Sequence, residues 1–104
     1  MASWIKADGK TVDLLPENGT RFTLKELQEA VGGTVDIIYL PGGEIMAVND
    51  NGKLEGLPMN DEATDIWKRA FPLEKYPMNN DQLVVGDVLF FEVGERGELE
   101  SEEE

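Results

Sequence analysis

The sequence predicts an α+β domain, a mostly antiparallel sheet of about five strands with two helices, in the order β-β-α-β-β-α-β. The prediction rests on two segments with helix start and stop signals, on short β-branched runs parted by turns, and on an apolar run near the C-terminus. The single domain is expected over residues 1–93, followed by a disordered acidic tail at 94–104.

Residues 3–8 and 11–15 are short extended runs around an Asp8-Gly9 step, the pattern of a hairpin. Val12 and Leu14 fall on one face and Asp13 on the other, and Pro16 ends the run. The first helix is expected from Leu24 to Val31. Thr23 and Glu26 have capping-box spacing, Phe22 and Leu27 suit a hydrophobic staple, and Gly32 suits a left-handed C-terminal cap. Residues 34–40 then read as a strand with apolar side chains on both faces, which predicts a central place in the sheet. A turn at Pro41-Gly42-Gly43 leads to a partner strand over 44–49. Asn51-Gly52 predicts a two-residue hairpin turn, with residues 54–57 pairing back or opening a loop. The second helix is expected from Asp61 to Phe71, capped by Asn60 or Asp61. Ala63, Ile66, Trp67, Ala70 and Phe71 form one apolar stripe, and Pro72 stops it. Residues 73–81 read as irregular, and 82–93 as one buried strand with a bulge or bend at Gly86.

Composition excludes several chemistries for this chain. There is no Cys and no His, so thiol nucleophiles, thiolate zinc sites and imidazole bases are absent. The hydroxyls of Thr11, Thr20, Thr23, Thr34 and Thr64 have no imidazole to activate them. Taking Gly52 as the sixth residue of a calcium loop puts Ala47 first and Pro58 twelfth, where acidic ligands are needed. Neither Gly32-Gly33 nor Gly42-Gly43 opens a helix behind a strand, so neither is a phosphate loop. No cofactor and no catalytic activity are therefore expected.

Net charge is −13, from 22 acids and 9 bases. The tail 94–104 has six Glu and one Arg and so carries −5, leaving −8 on residues 1–93. Such a surface repels nucleic acid and anionic membranes and favours a basic protein partner. The body's acids are scattered, unlike the dense row that mimicry of a phosphate backbone needs. No run approaches the length of a membrane helix and no basic-then-apolar leader is visible, so a cytoplasmic location is expected.

One loop stands out as a candidate ligand site. Pro58 and Asn60 lead into the second helix, whose free N–H groups favour an anion; Trp67, Tyr39 and Arg69 are the residues expected to complete a small-molecule pocket there. The alternative reading of the same residues is structural: Asn60 caps the helix, Pro58 shapes the turn and Trp67 belongs to the core.

Residues 24–33 (Leu-Lys-Glu-Leu-Gln-Glu-Ala-Val-Gly-Gly), 45–49, 51–53, 56–60 and 84–89, taken in order, resemble a small uncharacterised domain-of-unknown-function family of bacteria, phages and plasmids. The resemblance spans roughly residues 23–90. It implies an intracellular accessory protein, often carried on a mobile element, and no established activity. After Asn60 the family pattern is expected to be more basic, where this chain has Asp61-Glu62.

Overall fold

The computed structural model describes residues 2–19 and 21–98. One antiparallel sheet organises them. Its strands are β1 (Ala2–Ile5), β2 (Thr11–Leu14), β3 (Val35–Tyr39), β4 (Ile45–Asn49) and β5 (Val88–Phe91), in the lateral order β2-β1-β5-β4-β3. Three helices are added: α1 (Leu24–Val31), α2 (Asp61–Ala70) and the one-turn α3 (Pro77–Asn80). The α+β class and the antiparallel five-stranded sheet are as the sequence predicts; α3 arises inside the stretch expected to be irregular.

The last strand takes the centre because it is the most apolar. Val88, Leu89 and Phe91 are fully buried between β1 and β4. Side-chain alternation along each strand then divides the core in two. On one face α1 packs Leu27 and Ala30 against Ala2, Ile45, Ala47, Leu89 and Phe91. On the other, α2 packs Ala63 against Ile5, Met46 and Val88, with Ile66 and Trp67 alongside.

This two-sided covering corrects the expected place of β3, which is an edge strand and not a central one. Val35 and Ile37 pack on the α1 side, while Ile38 faces the α2 side. Apolar residues on both faces of a strand report helices above and below the sheet; they say nothing of its lateral position.

The capping box at α1 forms as spaced. Thr23 Oγ1 accepts from the Glu26 amide at 3.2 Å, and Glu26 Oε1 accepts from the Thr23 amide at 2.7 Å. Glu26 Oε2 also accepts from the Glu17 amide at 2.7 Å, so one carboxylate pins both the helix start and the preceding loop. The Thr23 and then the Glu17 amide hold this carboxyl below the ordinary value of 4.5. A group with a depressed folded-state pKa stabilises the fold above its unfolded pKa, and this is lost as pH falls through the folded value. Glutamine can accept only one of those two amide hydrogens. Glu26→Gln is therefore expected to lower the melting temperature at neutral pH, with the gap closing in acid; a gap unchanged at low pH would remove the carboxylate from this role.

Three other segments depart from the sequence reading. The 50–56 stretch is a run of turns, not the tip of a hairpin, and 54–57 does not pair with β4. Asn49 Oδ1 accepts from the Asn51 amide at 2.8 Å and starts those turns. Gly52 is not in the left-handed region; it is needed because a Cβ there would lie 2.9 Å from Val85 Cγ2. The expected strand over 82–93 is shorter: 82–87 forms an extended arm, bridged to Met59 at Val85, and turns at Gly86 with φ of 77°. The Asp87 carboxylate accepts from the Ala7 amide at 2.9 Å as the arm enters β5. Finally, the expected tail opens with a 3-10 helix, Val93–Glu98, while 99–104 lies outside the described residues. Among the described residues, no helix is long and apolar enough to cross a membrane.

Candidate functional site

Asn60 sits where α2 begins, and its surroundings decide between the two readings of its loop. It is wholly buried. Its Oδ1 accepts from the Ala63 amide at 3.0 Å, closing the helix cap. Its Nδ2 donates to the Ile5 carbonyl at 2.9 Å and to the Gly86 carbonyl at 2.8 Å. Its backbone amide donates to Val84 O at 2.8 Å. Both amide hydrogens are thus used inside the protein, and Asn60 ties α2, β1 and the 82–87 arm into one joint. Thr64 completes the joint: its hydroxyl accepts from the Val84 amide at 3.0 Å and donates to the Val84 carbonyl at 3.2 Å. At the helix terminus expected to hold an anion, the Ala63 amide is taken by this cap.

The other expected site residues are not gathered around it. Pro58 is exposed and contributes its carbonyl to the Gly86 amide at 2.8 Å. Tyr39 pairs in register with Ile45, which places it on the α1 face of the sheet, opposite to Trp67. Trp67 donates its Nε1–H to the Asn79 carbonyl at 2.7 Å and packs against Phe71 with ring centroids 4.7 Å apart and planes tilted by 41°. Arg69, two residues on, borders a separate cleft of about 530 Å³, with Glu44, Glu62 and Glu92 around Phe90.

The structure instead opens a groove of about 280 Å³ on the α2 side, beside β3. Ile38, Val48 and Trp67 give it its apolar lining. Leu54 from the 50–56 turns and Leu83 from the arm stand at its mouth, 89% and 47% exposed. Asp36 and Asp50 line it as well, and Lys53 donates from Nζ to Gln82 Oε1 at 3.0 Å. Of the expected site residues, Trp67 alone lines this groove. The sequence places Leu54 in a returning strand or loop and Leu83 in a buried strand, not at a site; their signal is a large apolar side chain set among turn-forming and polar neighbours.

A family model described as a domain of unknown function, DUF3846, matches residues 5–104. The chain belongs to the DUF3846 family. The match takes in every described element except β1, of which it includes only Ile5, and so extends beyond the stretch in which the sequence alone shows the resemblance. No curated protein and no solved structure matches the chain. In this DUF3846 domain the arm held by the Asn60 joint is also the segment that brings Leu83 to the groove.

Proposed function

We propose that this DUF3846 domain is a non-enzymatic accessory module of the cytoplasm, carried on a mobile element, that binds a basic protein partner. The observation that carries the reading is the convergence of Ile38, Leu54, Leu83 and Trp67, from four separate parts of the chain, on one open groove. Large apolar side chains held in water at the mouth of a cleft are unfavourable for the free domain and favourable once covered. The charge supports a basic partner: −13 overall, with Asp36 and Asp50 on the groove, raises the rate of encounter with a cationic surface. Lack of cysteine suits a reducing compartment, and the link to mobile elements follows the resemblance noted in the sequence.

The test uses the double variant Leu54→Glu, Leu83→Glu. Both side chains are exposed, so each change is expected to alter stability by no more than about 0.5 kcal/mol. Affinity capture from host lysate, with wild type and variant in parallel, should yield a basic protein that wild type retains and the variant loses. Its retention should weaken as salt rises from about 50 mM to about 500 mM. Equal retention by the two proteins would contradict a role for the groove.

A further inference from the structure

The groove runs along a strand whose outer side is open. β3 pairs with β4 alone, and among the described residues no strand lies on its other side. The ladder shows which amides face outward. Leu40 donates to Glu44 O at 2.8 Å and Thr34 O accepts from Asp50 at 2.7 Å, so even-numbered residues bond toward β4. In an antiparallel pair these positions alternate, which turns the backbone groups of Val35 and Ile37 to the open edge. The side chains at that edge alternate too. Asp36 and Ile38 stand on the groove side and Val35 and Ile37 on the α1 side.

The geometry points to strand addition: an extended segment of the partner pairs antiparallel with β3, its main chain bonded to Val35 and Ile37. Antiparallel pairing continues the pattern of the whole sheet and is the more stable per residue. Register then dictates the segment's chemistry. A residue opposite Ile38 shares the groove side with Val48 and Leu54 and is apolar. The residue two further along the segment lies opposite Asp36 and is lysine or arginine. A second basic residue, two beyond that, comes opposite Thr34 and beside Asp50. The residues between them lie on the α1 side next to half-buried Ile37 and Val35. The occupant is a partner segment and not a second copy, because pairing β3 antiparallel with itself would bring two chains of charge −13 together and put both Asp36 carboxylates on the same face of the joined sheet. The inference rests on the groove reading and adds its mode of recognition.

A heptapeptide probe, Val-Thr-Ile-Thr-Lys-Thr-Lys, has this pattern, with its isoleucine meeting Ile38 and its first lysine meeting Asp36. In the proposed register the N–H of the central threonine points at β3, and that of the isoleucine points away. Titration should show saturable binding. N-methylation of the central threonine should weaken it by about tenfold or more, whereas N-methylation of the isoleucine should leave it within about threefold. Asp36→Lys, a change at an exposed position, should weaken the unmodified peptide as well. Equal affinity of both methylated peptides would overturn strand addition while leaving the groove as a binding site. Failure of the unmodified peptide to saturate would overturn both. Binding that survives replacement of both lysines by glutamate would overturn the basic occupant, and a dimer that the peptide dissociates would replace it with a second copy.

Discussion

Asn60→Ala is expected to destabilise the fold by about 2–4 kcal/mol, from the lost helix cap, the buried Gly86 carbonyl left without a donor and the Ile5 carbonyl stripped of its second one. The change removes the bond from Ala63 and exposes nothing to water, since Asn60 is wholly buried. The Gly86 carbonyl then loses its donor in the interior, and the Ile5 carbonyl, opposite Val88 in the β1–β5 ladder, loses its second one. Asn60→Asp sharpens the test. Its carboxylate can still cap α2, but it has no hydrogen for either carbonyl and places a charge among acceptors. It is therefore expected to be no better than alanine in urea unfolding at neutral pH. If the aspartate variant matched wild type, the joint between α2, β1 and the arm would not be held by the amide. If the alanine variant kept full stability, the residue would be free for the ligand role that its place in the sequence suggests.

Phe91→Ala should have an effect of similar size for a different reason. Phe91 is fully buried on the central strand, and its ring meets Phe22 edge-to-face with centroids 5.6 Å apart and planes at 83°. Phe22 stands just before the capping box, so this contact joins the entry of α1 to the middle of the sheet. Truncation removes about 3–5 kcal/mol of burial and packing, a large share of the roughly 5–15 kcal/mol available to a domain. The melting temperature should fall by at least about 12 °C. Phe91→Leu, which keeps most of the volume, should lose much less. A loss below about 1 kcal/mol for the alanine variant would contradict the packing described.

The parts of this fold that could be read from sequence are those fixed by residues close together in the chain. Thr23, Glu26 and Gly32 mark both ends of α1 because a cap is satisfied within a few residues. Asn60 and the stripe from Ala63 to Ala70 locate α2 in the same way. What sequence could not show is lateral order. Val35, Ile37 and Ile38 mark β3 as covered on both faces, yet the covers are helices from distant stretches, and the strand ends at the edge. Asn51-Gly52 illustrates another limit. The dipeptide permits a hairpin, but the Asn49 side chain and the closeness of Gly52 to Val85 settle a different turn. The groove was hidden for the first reason, since Ile38, Leu54, Trp67 and Leu83 meet only after β3, α2 and the arm are assembled. Tyr39 and Trp67 stay apart because strand alternation turns Tyr39 to the α1 face of the sheet, while Trp67 lies on α2 at the other face.

The groove beside β3 is the surface proposed to receive a partner. The direct measurement is an amide-resolved NMR titration of the labelled domain with the Val-Thr-Ile-Thr-Lys-Thr-Lys probe, repeated on the Leu54→Glu, Leu83→Glu variant. Shifts concentrated in residues 35–38, 48–54 and 82–85, and lost in the variant, are the predicted result. Shifts centred instead on Glu62, Arg69 and Phe90 at the second cleft, or unchanged in the variant, would contradict it.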